Sequence, residues 1–381
     1  MRARDLGIEI GTGAPGPLNA ITDVAGLRVG HTTLIYGDGP LEVGRGPVRT
    51  GVTVILPHEG EVWKESLFAG CHRLNGNGEL TGLEWVRESG MLTSVIGLTS
   101  THSVGVVHDA LIAHEVAVSG DDHLFWALPV VGETWDGNLN DINGFHVKPE
   151  HVARALAAAE GGPVPEGSVG GGTGMICHGF KGGIGTASRV VPAERGGFTV
   201  GVLVQANHGR RARFQVNGVP VGQVIGAGEV PLPRPPGPAP RPATGSAGAG
   251  SIIVVVATDA PLLSNQCQRV AQRAGLGIAR TGGVGEHGSG DLFLAFATGN
   301  RGLTQGAYGA AEPLTLPLRM LSNSNIDPLF DAVVEATEEA ILNAMLQAGT
   351  MVGRDGVTAH GLDGDRLVEV LRRYGRGPRE G

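Results

Sequence analysis

A serine placed where a loose stretch of chain runs into a buried strand can do chemistry that a serine in an ordinary loop cannot. Residues 226–250 read GAGEVPLPRPPGPAPRPATGSAGAG, with almost no apolar anchor. Such a stretch cannot offset its own ordering entropy and is expected to be a mobile connector. It ends at Gly250-Ser251, and Ser251-Ile-Ile-Val-Val-Val-Ala-Thr-Asp259 follows, a β-branched run of the kind buried on both faces of a sheet. The Ser251 hydroxyl neighbours the Gly250 carbonyl, and glycine tolerates backbone conformations that other residues resist. If that peptide bends so that the hydroxyl attacks the carbonyl, an N→O acyl shift makes an ester and water cleaves it. One domain of 381 residues would then consist of fragments 1–250 and 251–381, with Ser251 as a free N-terminus. An α-amine titrates at ~7.7–8, close enough to neutrality to accept the hydroxyl proton, so one residue would carry both nucleophile and base. The same two residues also fit a strand that simply starts after a connector, and the junction alone leaves both readings open.

Other familiar chemistries find no support. Gly170-Gly-Gly-Thr-Gly174 misses the dinucleotide fingerprint because Met175 stands at its last glycine position, and Gly44-Arg-Gly46 fails at Arg49. A phosphate-loop reading over 174–179 has Phe180 where the lysine belongs. No serine sits in GxSxG and HExxH is missing. The histidines are dispersed, with His146 and His151 the nearest pair. Cys71, Cys177 and Cys267 are scattered without a CxxC, so neither a disulfide framework nor a zinc site is expected, and no cofactor.

The elements that would position Ser251 can be read from composition and periodicity. At 41% hydrophobic and 17% charged, the chain can bury a sizeable core. Glycine is the outlier, 65 residues against a usual share of ~7%, which predicts many tight turns and close backbone approaches. Lys+Arg 29 against Asp+Glu 37 gives −8, arguing against nucleic acid or an anionic membrane as partner. The first residues lack the apolar stretch of a signal peptide, and no apolar run reaches the ~18 residues of a membrane span, so a cytoplasmic protein is expected. Strands are expected over 26–33, 51–56, 92–98, 128–133, 183–191 and 198–205, and helices over 105–117 and 151–160. After the connector, 261–278 reads as a helix with Leu263, Cys267, Val270 and Ala274 on one face, and 292–298 as a strand. Asp327-Pro328 opens a strong helix with Phe330, Val333, Val334, Thr337, Ile341 and Met345 as its apolar stripe. Its Asp331, Glu335, Glu338 and Glu339 read mainly as a solvated face. A last amphipathic helix is expected over 362–374. Strands and helices without a regular βαβ beat imply α+β layers.

Several long segments, in order, resemble one known family. They are Glu133-Thr-Trp-Asp-Gly-Asn-Leu-Asn-Asp-Ile-Asn-Gly144, Ser168-Val-Gly-Gly-Gly-Thr-Gly-Met175 and Phe180-Lys-Gly-Gly-Ile-Gly-Thr-Ala-Ser188. Gly250-Ser251, then Ser322-Asn-Ser-Asn-Ile-Asp-Pro-Leu-Phe330 with Glu335-Ala-Thr-Glu-Glu339, complete the set. Together they resemble the L-aminopeptidase/D-esterase (DmpA-type) self-processing peptidases, which include the β-peptidyl aminopeptidases. The resemblance implies a four-layer αββα sandwich similar to the N-terminal-nucleophile hydrolases but with different connectivity. It also implies autocleavage before Ser251 and a homo-oligomer, a tetramer of processed heterodimers. Position by position, it implies that Ser251 is the nucleophile and that Ser289 and Asp291, in Gly288-Ser-Gly-Asp291, are its polar partners, the second being Glu in some relatives. Asn207, in Val204-Gln-Ala-Asn207, corresponds to an oxyanion-hole amide, and such a donor is worth ~10²–10³ in rate. Glu133 corresponds to a carboxylate near the substrate's free amine, and Trp135 either walls the pocket or belongs to the core. Some relatives add a tyrosine hydroxyl near the 140–144 segment; here Phe145 lies in that stretch, which leaves the second oxyanion donor open.

The function expected on these grounds is an aminopeptidase acting on small peptides, aminoacyl amides or esters. Two other readings remain. Ornithine acetyltransferases share a related fold and self-processing but use threonine, so Ser251 argues against an acyltransferase. A non-catalytic glycine-rich binding protein would not gather polar residues at predicted strand ends, as Glu133, Asn207 and Ser289 are.

Overall fold

The apolar run after Ser251 forms the spine of the molecule. The computed structural model of the chain describes residues 1–120, 125–235, 250–303 and 313–378. In chain order the strands are β1 (Arg28–Tyr36), β2 (Val48–Leu56), β3 (Leu67–Gly76), β4 (Met91–Leu92), β5 (Ile96–Ser100), β6 (Val130–Thr134) and β7 (Ile176–Cys177). They continue as β8 (Phe180–Lys181), β9 (Gly183–Val190), β10 (Thr199–Asn207), β11 (Ser251–Thr258), β12 (Gly290–Ala297), β13 (Met351–Val352) and β14 (Thr358–Ala359). The helices are α1 (Leu83–Ser89), α2 (Val104–Ser119), α3 (Pro149–Ala157), α4 (Val221–Val224), α5 (Ser264–Arg280), α6 (Asp327–Gln347) and α7 (Gly364–Arg373). One sheet has the order β4-β3-β12-β11-β10-β9, the other β1-β2-β5-β6.

Because side chains alternate along a strand, the unbroken apolar run of β11 serves two cores at once. Ile252, Val254 and Val256 pack toward α5 and α6, with Val270, Ala274 and Ile341. Ile253, Val255 and Ala257 face Leu98 and Val130 of the smaller sheet. β12 repeats the pattern, with Phe293 and Ala295 on the helix side and Leu294 and Phe296 between the sheets. On the far face of the smaller sheet, Val52 and Val54 meet Val107 and Leu111 of α2 and Val152 of α3. Helices, sheet, sheet, helices: this is the four-layer αββα sandwich of the α+β class. The glycine excess has a local purpose in it. A Cβ on Gly185 would lie 2.0 Å from the Ala340 carbonyl oxygen, so glycine lets α6 lie directly on β9.

Four expectations are corrected. The single strand over 92–98 is two, β4 and β5, one in each sheet, because the chain crosses between layers at 93–95. β3 and α1 were not anticipated; β3 carries Gly70, His72, Arg73 and Asn75 and owes its extended form to antiparallel pairing with β12. Of the acidic residues of α6, Asp331 is exposed as expected, but the others are withdrawn from solvent. Glu338 and Glu339 are buried, and the Glu339 carboxylate pairs with Arg189 at 2.7 Å and Arg4 at 3.0 Å, while Glu335 pairs with Arg189 at 3.1 Å. Finally, the first part of the expected connector is held in place. The Arg211 guanidinium donates to the carbonyls of Ile225 at 3.2 Å and Val230 at 3.0 Å, and Glu229 pairs with Arg366 at 2.7 Å. Residues 236–249 lie outside the described residues.

Candidate active site

Three neighbouring strands of the larger sheet bring their ends to one place. β11 begins at Ser251, and antiparallel pairing sets it opposite Asn207, the last residue of β10. β12 runs parallel to β11 with Ile252 opposite Asp291, so the 288–291 turn arrives at the same edge. The Ser251 hydroxyl oxygen accepts the backbone N–H of Gly290 at 3.1 Å, and Ser251 itself is buried. Beside it, Ser289 Oγ donates to Asp291 Oδ1 at 2.6 Å. That bond uses the one Ser289 proton and leaves its lone pairs free to accept.

The Asn207 amide is fixed in one orientation. Its Oδ1 accepts the N–H of Ile176 on β7 at 2.7 Å, and its Nδ2 donates to the Trp135 carbonyl at 2.9 Å. One of the two Nδ2 hydrogens is therefore uncommitted by this bond. Glu133, near the end of β6, is buried; its Oε1 accepts the Glu79 N–H at 3.0 Å and its Oε2 accepts the Thr101 hydroxyl. A Cβ added to Gly78 would lie 3.1 Å from both Glu133 Oε1 and the Gly290 Cα, so a single glycine separates this carboxylate from the turn that contacts Ser251. Trp135 is 41% exposed. With Asn207, Ile176, Arg211, Leu232 and Gly250 it lines a cavity of about 590 Å³. Gly250 is confined: a Cβ there would stand 1.7 Å from the Asn207 carbonyl oxygen. Its need for glycine is close approach, since it is not among the residues with positive φ. Phe145 is exposed and stacks on His102, with ring centroids 6.1 Å apart.

Burial sets the charge states. It raises the Asp291 carboxyl to about 6, against the opposing hydrogen bond from Ser289. It raises Glu133 as well, with the Thr101 hydroxyl and the Glu79 amide pulling the other way. Asp136, next to Trp135, is raised to about 7 by complete burial.

A buried serine at a strand head, a fixed amide opposite it and a serine–carboxylate pair beside it are found together with a family-wide sequence match: the pattern of peptidase family S58 covers residues 19–359. The chain belongs to that family. The beta-peptidyl aminopeptidase BapA of Sphingosinicella microcystinivorans is 48% identical over 376 residues, spanning 98% of this chain and 93% of its own. Among solved structures, a Burkholderia sp. beta-aminopeptidase superposes with a TM-score of 0.90 at 53% identity, covering 98% of this chain and 99% of the other. The L-aminopeptidase D-Ala-esterase/amidase of Ochrobactrum anthropi, described as a prototype for the serine aminopeptidases and a variant of the Ntn hydrolase fold, gives 0.86 at 44% identity over 98% and 99% of the two chains.

The candidate site has neighbours that sequence reading did not foresee. Thr101, Ile176 and the Gly290 amide are local anchors whose roles depend on strand pairing, and only Gly290 sits inside a recognised segment. Cys177, His178 and His208 were read as dispersed, yet their ligand atoms lie within 4.8 Å of one another behind Asn207. In this setting the cluster is charge-neutral. Burial raises the Cys177 thiol to about 12, lowers His178 to about 4 and lowers His208 as well. Lys181 and Arg211, which border it, disfavour a further cation there.

Proposed function

We propose that this S58 peptidase is a self-processing serine aminopeptidase whose nucleophile is Ser251. In the first step the Ser251 hydroxyl attacks the Gly250 carbonyl and the C–N bond breaks, which frees the Ser251 α-amine and leaves Gly250 as an ester on the Ser251 oxygen. Water then hydrolyses that ester, releasing the Gly250 carboxylate and restoring the Ser251 hydroxyl. Fragments 1–250 and 251–381 then act as one unit. In turnover, Glu133 receives the ammonium of a small peptide, aminoacyl amide or ester, a role that fits a buried carboxylate because an unpaired desolvated charge costs several kcal/mol. The hydroxyl attacks the scissile carbonyl, its proton passes to the α-amine, and the Asn207 Nδ2–H donates to the oxyanion. Collapse expels the leaving amine or alcohol with that proton, and water releases the acyl group. Ser289, its own hydrogen held by Asp291, is arranged to accept from the α-amine and keep it oriented.

The observation that carries this reading is the meeting of Ser251, Asn207 and the Ser289–Asp291 pair at one end of three adjacent strands. The names of the similar proteins put L-, D- and β-aminoacyl compounds on the test panel. Release of amine from members of that panel by the wild type, and none by Ser251→Ala, is expected. Undiminished release by the variant would refute the assignment.

A further inference from the structure

A second cavity lies on the far side of the smaller sheet from β11, between the start of β1, the 57–66 segment, α2 and α3. It encloses about 430 Å³, within the ~300–1,000 Å³ typical of small-molecule sites. Its walls include Arg28, Trp63, Val95, Glu115 and Leu156.

Three polar atoms of these residues have no partner inside the protein. Arg28 Nε, Trp63 Nε1 and Glu115 Oε2 are each buried without a hydrogen-bond partner among the described residues. Glu115, 4% exposed, uses only Oε1, which accepts the Val95 N–H at 3.2 Å. Arg28 and Glu115 face one cavity yet form no ion pair with each other. Glu61, on the rim, is already paired with Lys64 at 2.8 Å. Buried polar atoms are nearly always satisfied, and an orphan costs ~1–3 kcal/mol, more when charged. All three belong to residues that line one pocket, a cation, an anion and a neutral donor without internal partners, and a ligand entering it would complete them.

We infer that this cavity binds a free aliphatic amino acid as a zwitterion. Its carboxylate would accept from Arg28 and the Trp63 indole N–H, its ammonium would donate to Glu115, and its side chain would lie against Val95 and Leu156. A carboxylate suits arginine because the guanidinium offers paired donors in a fixed fork. An ammonium suits Glu115 because its carboxyl, which burial raises to about 7, regains its charge beside a cation. No residue of the Ser251 site takes part, so this inference stands apart from the proposed function.

Equilibrium dialysis of the purified protein against radiolabelled L-leucine, compared with Arg28→Gln and Glu115→Gln, tests it. Neither substitution touches the Ser251 site, so any binding they remove belongs to this cavity. Each should weaken one saturable component by roughly tenfold or more, the loss of one charge-assisted contact. N-acetyl-L-leucine, which lacks the ammonium, and 3-methylbutylamine, which lacks the carboxylate, should not displace the leucine. In crystals soaked with L-selenomethionine, an anomalous peak is expected inside the cavity. Binding identical in wild type and both variants, displacement by either truncated compound as efficient as by leucine itself, or a soaked crystal with no peak between Arg28 and Glu115 would overturn the assignment.

Discussion

The hydroxyl oxygen of Ser251 accepts a hydrogen bond from Gly290, so its own proton is not used in that bond, and this is the polarity a nucleophile needs once a base is available. Replacing Ser251 with alanine is expected to leave a single full-length band and no turnover. Asn207→Ala should lose ~10²–10³ in kcat, the worth of an oxyanion donor, while circular dichroism stays that of a folded protein. Asp291 gives the pH dependence. Its folded value of about 6 lies above the unfolded ~3.9, so the native state holds the proton more tightly. Its contribution to stability is full below about pH 4 and is lost as pH rises through about 6. In the proposed mechanism activity runs the other way, because the carboxylate accepts from Ser289: beneath the limb set by the α-amine, kcat should show a second acid component near pH 6, and Asp291→Asn should remove that component alone. A pH profile retaining it would assign it to another group. The meeting of a connector with a β-branched run drew attention to Ser251, and the family resemblance, not the junction, favoured a nucleophile there over a plain strand start. Thr101 and the Ile176 amide could not be found in the sequence, since each touches its partner only across strands distant in the chain.

At the scale of elements, β11 was legible because a run buried on both faces shows no polar alternation. β3 was not, because its glycine, histidine, arginine and asparagine are poor strand formers rescued by pairing with β12. The acidic half of α6 misled for a similar reason: charges near a helix start ordinarily face water, but here Arg189 and Arg4 meet them inside. Glu339→Gln should therefore destabilise the fold by about 3–5 kcal/mol, the usual loss on breaking a buried pair, and denaturant unfolding would measure it. Gly250 also acts at this scale, since its backbone lies against the end of β10. Gly250→Ala should slow or stop fragment formation, because the added methyl would meet the Asn207 carbonyl at 1.7 Å. A time course on a denaturing gel as fast as that of the wild type would show that this close fit is irrelevant to cleavage.

For the whole molecule, the layered architecture decides what cleavage can do. β11 pairs with β10 on one side and β12 on the other, and both principal cores mix residues from before and after Ser251. Fragments 1–250 and 251–381 should thus co-elute on size exclusion and separate only in denaturant. Among the described residues no helix is long and apolar enough to cross a membrane. The layer class was readable from the mixture of strands and helices, whereas the sheet order, with parallel β11 and β12 at its centre, was not, because pairing partners leave no local signal. The most direct test of the account is an intact-mass spectrum taken on the same preparation whose aminoacyl-amide turnover is measured. It predicts two masses, corresponding to residues 1–250 and 251–381, in every active sample. Full turnover from a chain in which Gly250 and Ser251 are still joined would contradict it.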